Sequence, residues 1–207
     1  MKKLISMSVL ALVLSASVAP VAIAAEATSG PINTKASVAG GLSQTIVIRK
    51  NSFAGAIITS IDFGQLADIG TGTLRSDPNG TTGTGSAVAF ITPNSSGLPY
   101  VTTVDGTVMS NGTTTLPNGA LVVTPTYAAA DNGGLAMPAG AVLGTGGTWV
   151  GTGKVLYDSE DGIAAGRTFQ AAFAITDDPA AGSTASVPTS QASGNYAGTV
   201  TITTTTA

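Results

Sequence analysis

Thr168-Phe169-Gln170-Ala171-Ala172-Phe173-Ala174-Ile175-Thr176 is the stretch that decides the fold. Phe169, Ala171, Phe173 and Ile175 fall on one side of a period-two alternation. Gln170, Ala172, Ala174 and Thr176 fall on the other. An extended chain sends alternate side chains to opposite faces, so the run predicts a strand with one core face and one smaller, more polar face. The pattern recurs outward. After the turn signal Gly194-Asn195, the residues Tyr196, Gly198, Val200 and Ile202 alternate with Ala197, Thr199, Thr201 and Thr203. Over residues 44–50, Ile46 and Ile48 oppose Thr45, Val47 and Arg49. Further strands are expected over residues 57–63, 87–91, 101–104, 107–109, 121–127 and 149–157, with Asp105-Gly106 as a two-residue hairpin turn. Residues 70–86 and 131–148 read as long loops or irregular edges. About nine short strands between turn signals predict an all-β, antiparallel β-sandwich.

Composition limits the chemistry. The 207 residues include 31 Thr, 27 Gly, no Cys and no His, and only 9% are charged. Without His or Cys, Ser–His–Asp and Cys–His catalysis and the usual zinc ligand sets are excluded. Eight Lys and Arg against eleven Asp and Glu, with no basic cluster, argue against nucleic-acid binding. Most acids stand in turn contexts, not as a pair across a cleft, so no enzyme and no cofactor is expected. Asp158-Ser159-Glu160-Asp161-Gly162 is the acidic cluster. Its carboxylates Asp158, Glu160 and Asp161 read either as a calcium cradle or as a solvated turn. Asp177-Asp178-Pro179 reads as a turn that ends the preceding strand. Trp149 reads either as core packing or, with Tyr100 and Tyr127, as a sugar-stacking platform.

The beginning of the chain reads as a secretory leader. Met1-Lys2-Lys3 is a positive start, residues 4–18 are mostly apolar, and Ala22-Ile23-Ala24 is a cleavage site. A cleaved signal peptide over residues 1–24 predicts passage through a bacterial periplasm to the cell surface, with no membrane span in the mature chain. Residues 25–40 then form an N-terminal arm and residues 41–207 the sandwich domain. Ile32, Thr34, Ala36 and Val38 alternate weakly in the arm, which is polar, small and marginal as a strand alone. Lacking cysteines, the domain must obtain its stability from its core, from strand pairing or from a partner.

Three segments carry a family resemblance. They are Ile32-Asn33-Thr34-Lys35-Ala36-Ser37-Val38 after the leader, Ser60-Ile61-Asp62-Phe63-Gly64-Gln65-Leu66, and the ending Ala192-Ser193-Gly194-Asn195-Tyr196-Ala197-Gly198-Thr199-Val200-Thr201-Ile202-Thr203. Together they resemble subunits of chaperone–usher-type fimbriae, especially the alternate and archaic kinds, and the related spore coat U-like secreted domains. The resemblance implies an incomplete immunoglobulin-like sandwich whose open groove takes the arm of the next subunit as a strand. It implies Ile32, Thr34, Ala36 and Val38 as the donor strand. It implies Ile46, Ile48, Tyr196, Val200 and Ile202 as the acceptor groove. The implied partners are copies of the chain, with a periplasmic chaperone and an outer-membrane usher, and the implied role is that of a structural, adhesive fibre subunit. Two other readings remain open: a monomeric extracellular glycan- or protein-binding module, and a self-associating matrix or coat protein. A fully closed sandwich with residues 26–39 woven into its own sheet would favour the module and count against polymerisation through that arm.

Overall fold

β-Branched and aromatic side chains at alternate positions suit a pleated, half-buried surface, and the longer strands of this chain carry them in that pattern. The computed structural model describes residues 26–31, 33–36, 42–49, 56–68, 70–76, 87–95, 97–151, 153–160 and 167–206. In chain order the strands are β1 (Glu26–Pro31), β2 (Asn33–Ala36), β3 (Ser43–Arg49), β4 (Ile57–Ile58), β5 (Ser60–Gln65), β6 (Ala67–Asp68), β7 (Thr73–Arg75), β8 (Ala87–Asn94) and β9 (Tyr100–Gly106). They continue as β10 (Leu121–Thr126), β11 (Val142–Leu143), β12 (Gly147–Thr148), β13 (Lys154–Asp158), β14 (Phe169–Ile175), β15 (Val187–Pro188), β16 (Asn195–Tyr196) and β17 (Val200–Thr206). Helix among the described residues is limited to three short 3-10 turns, and none is long and apolar enough to cross a membrane. The leader read over residues 1–24 lies outside the described residues.

Two larger sheets hold the core between them. One has the order β12-β10-β14-β8-β3-β4, antiparallel throughout. The other has the order β11-β13-β9-β17-β2, antiparallel except for its last pair. Two three-stranded sheets, β16-β1-β5 and β15-β7-β6, complete the fold. The chain is therefore all-β and sandwich-like. Ala89, Ile91, Phe169 and Phe173 of the first large sheet share one core with Tyr100, Val104, Leu156, Val200 and Ile202 of the second. Aromatic rings tie the layers together. Tyr157 stacks on Phe169 with centroids 4.9 Å apart, and Trp149 meets Phe173 edge-on at 6.2 Å.

The register explains the packing of β14. On the core side Phe173 lies opposite Ala87, Ala171 opposite Ala89 and Phe169 opposite Ile91, so the large Phe173 has a small neighbour to lie over. The reading of its second face needs correction. Ala172 and Ala174 are buried, not solvated: Ala172 packs with Val88 and Phe90, and Ala174 with Val122 and Ala181. Both faces of this strand are therefore covered.

The Asp105-Gly106 hairpin is also corrected. β9 runs straight through both residues, which pair with Thr201 and Val200 of β17. Gly106 serves close approach, not a turn. A Cβ there would stand 2.8 Å from the Trp149 ring and against the Thr199 carbonyl oxygen. Of the expected strand over residues 149–157, only β13 forms, from Lys154; Trp149 lies outside it, buried just after β12. Of the two stretches read as long loops or irregular edges, the first carries the short β7, with residues 77–86 outside the described residues, and the second carries the two-residue β11 and β12.

Candidate functional site at the edge of the final strand

The final strand β17 is the element on which the sequence-derived site converges. Its alternation places Val200, Ile202 and Thr204 inward, all fully buried, and leaves Thr201 and Thr203 partly exposed. One side pairs with β9 along its whole length, from Val200 opposite Gly106 to Thr206 opposite Tyr100. The other side pairs in parallel with β2: Thr201 beside Asn33, Ile202 beside Thr34, Thr203 beside Lys35 and Thr204 beside Ala36. Thr34 and Ala36 of the expected donor strand thus lie on this edge of their own chain. Ile32 and Val38 lie outside the described residues.

The first and last long strands meet here through polar groups. Gln44 of β3 donates from Nε2 to the Ile202 carbonyl oxygen at 3.2 Å. Its Oε1 accepts from the Thr204 hydroxyl at 2.6 Å. Thr204 in turn accepts from the buried Thr102 hydroxyl at 2.8 Å. Thr204 is a polar residue at an inward position, and it is tolerated because its hydrogen bonds are made. Of the expected groove residues, Val200, Ile202 and Ile48 are buried, and Ile46 is half-buried against the same core. Gln44, Thr102 and Thr204 were missed by the sequence reading. Their signal is a Thr that continues the inward series Val200, Ile202.

Tyr196 stands just before this strand, with its ring in the core. Its hydroxyl donates to the Ala192 carbonyl oxygen at 2.7 Å and accepts from Gln191 Nε2 at 2.8 Å and from Thr114 at 2.7 Å. The hydroxyl therefore fixes the corner from which β17 departs. β1 enters the same region. It runs between β5, antiparallel, and β16, parallel, with Glu26 beside Asn195 and Ala27 beside Tyr196. The arm is therefore paired over Glu26–Pro31 and Asn33–Ala36 with its own chain.

The remaining candidates have other roles. Trp149 and Tyr100 are fully buried, so they form no exposed platform with Tyr127. Burial, assisted by the neighbouring Tyr157, pushes the Tyr100 hydroxyl above the ordinary phenol range. Burial likewise pushes Tyr157 up to about 12, with Tyr127 and Asp158 adding to the effect and Arg167 opposing it. Asp158 of the candidate calcium cluster accepts from the Glu160 backbone N–H at 3.0 Å, as in a turn, and Glu160 is exposed. Asp161 lies outside the described residues. No group of three His, Cys, Asp or Glu suited to a metal occurs among the described residues. Asp178 caps the turn Pro179–Ala181 by accepting from Ala180 at 2.9 Å. Asp177 forms an ion pair with Arg75 and accepts from Thr73 at 2.7 Å. Partial burial opposes its ionisation, but the hydrogen bonds from Thr73 and Arg75 and the Arg75 charge hold its carboxyl below the ordinary range.

No protein-family model matches the chain, and neither a curated protein nor a solved structure matches it significantly.

Proposed function

We propose that the chain is a structural subunit of a bacterial surface fimbria or fibre, joined to copies of itself by exchange of the N-terminal arm. The observation that carries this reading is the parallel seat of Asn33–Ala36 on the outer edge of β17. Six strands of the two large sheets, β3, β8, β9, β10, β14 and β17, can be read in the order of an immunoglobulin sandwich. β3-β8-β14-β10 corresponds to its A-B-E-D sheet, and β9-β17 to strands C and F. The arm lies on the side of F where the seventh strand, G, belongs, but it runs parallel to F, where G would run antiparallel. The Tyr196 hydroxyl, bonded back to Ala192, corresponds to the tyrosine corner of such sandwiches. On this reading the domain lacks its own last strand, and an arm supplies it.

In one chain the arm closes its own edge. Between chains the same pairing joins one copy to the next, head to tail, which does not close and so makes a filament. The leader would direct export. A periplasmic chaperone and an outer-membrane usher would shield the edge in transit, since an open edge invites wrong pairing. Deleting residues 26–39 and examining the secreted material by electron microscopy tests the reading. Loss of filaments is expected, and normal filaments from the truncated chain overturn it.

A second reading is a monomeric extracellular module that binds glycan or protein. It is favoured by the arm lying in the sheets of its own chain. The burial of Trp149 and Tyr100 removes the platform first considered for it.

A further inference from the structure

The arm does more than cover one edge. It meets the final segment of the chain at two places, in parallel both times. Glu26 and Ala27 run beside Asn195 and Tyr196, and Asn33 to Ala36 run beside Thr201 to Thr204. In sequence, Ile32 alone stands between the two halves of the arm. The halves are held differently. β2 is an edge strand with one neighbour, β17. β1 is the middle strand of its sheet, with β16 on one side and β5 on the other. Thr28 lies opposite Asp62 and Pro31 opposite Ser60. A four-residue edge strand paired on one side is a weak grip by itself. A strand paired on both sides is a stronger one.

We propose that the slot between β5 and β16 is a second docking station for the arm of a second copy of this chain. Residues Glu26–Pro31 of one copy enter between Ser60–Gln65 and Asn195–Tyr196 of the next, while its Asn33–Ala36 lie on β17. The proposal rests on the exchange reading above and deepens it. The occupant is fixed by the chain itself, because the same residues fill the slot in cis and a swap reuses identical contacts. Once either half of the arm has docked, the other binds as an intramolecular event, so release of the arm requires both to let go together. The Phe63-Gly64 segment thereby gains a role. Gly64, with φ +62, accepts the turn that Asp62 Oδ1 fixes through the Gly64 N–H at 2.8 Å, and this presents the β5 wall of the slot.

The absence of cysteine makes the test clean. Paired residues of a sheet have Cα atoms about 4.5–5.5 Å apart, within disulfide range. Full-length chains carrying Thr28→Cys are co-expressed with chains carrying Asp62→Cys, and the secreted fibres are run on non-reducing gels. A parallel pair, Lys35→Cys with Thr203→Cys, reports the β17 edge. Both substitutions of a pair placed in one chain give a disulfide if the register is correct, internal where the arm lies on its own chain and a ladder of linked chains where it is exchanged; if neither forms, the register fails and the slot with it. The expected result is a disulfide-linked dimer from each mixed pair, absent from either chain alone. A dimer through Lys35 and Thr203 but none through Thr28 and Asp62 overturns the slot and leaves arm exchange standing. No dimer from either pair overturns both.

Discussion

Replacing Thr204 by Val tests the polar contact that pins the final strand. The hydroxyl donates to Gln44 at 2.6 Å and accepts from Thr102 at 2.8 Å, with Thr102 and Thr204 fully buried. Each intramolecular hydrogen bond is worth about 1 kcal/mol net, and the Thr102 hydroxyl is left buried without this partner. The added methyl returns less than about 1 kcal/mol. The expected loss is therefore about 1–3 kcal/mol, or roughly 2–10 °C in the thermal midpoint for a chain of this size. Urea unfolding measures it. The control is Thr201→Val, on the partly exposed face of the same strand, expected within about 0.5 kcal/mol of the parent. Adding Thr102→Val to Thr204→Val should cost less than the sum of the single changes, because the orphaned hydroxyl goes with it. If Thr204→Val unfolds at the same urea concentration as Thr201→Val, the buried polar contact does not hold β17.

Other outcomes follow from the same packing. Gly106→Ala forces a methyl against the Trp149 ring and the Thr199 carbonyl oxygen, so thermal unfolding should show a loss of about 1–3 kcal/mol. Fluorescence of Trp149 should be that of a buried indole, poorly quenched by acrylamide and unchanged by added oligosaccharides; strong quenching in the native state would restore the platform reading. Asp177→Asn should cost on the order of 1 kcal/mol at neutral pH through the lost Arg75 and Thr73 contacts. Because the folded carboxyl titrates below its unfolded value of about 4, that contribution is present above pH ~4 and is lost as pH falls through the folded value. Urea midpoints of parent and variant should therefore converge on acidification; a gap that widens would contradict the assigned ion pair.

Much of the fold is legible because alternation is a local signal. Phe169 to Ile175 and Val200 to Thr206 show their core faces directly in sequence. What alternation cannot show is which second surface a strand meets. Ala172 and Ala174 look like a mild solvent face until Val88, Phe90 and Val122 arrive from other strands. Asp105-Gly106 misleads for a related reason. The same dipeptide serves a hairpin, where Gly supplies backbone freedom, and a strand, where its missing Cβ admits Trp149. The site is less legible. Thr204 looks like one more surface threonine in a threonine run, and its partner Gln44 lies 160 residues away. The parallel pairing of the arm at these two places leaves no trace in either segment alone, because its register is set between the two ends of the chain, Glu26 and Ala27 beside Asn195 and Tyr196, and Asn33 to Ala36 beside Thr201 to Thr204.

The arm's role in joining copies is tested most directly by the size of the secreted protein in solution. Size-exclusion chromatography with light scattering should show a ladder of multimers or void-volume material from the intact chain, and single chains only once residues 26–39 are deleted. A sharp monomer from the intact chain, unchanged at high concentration, would contradict assembly through the arm.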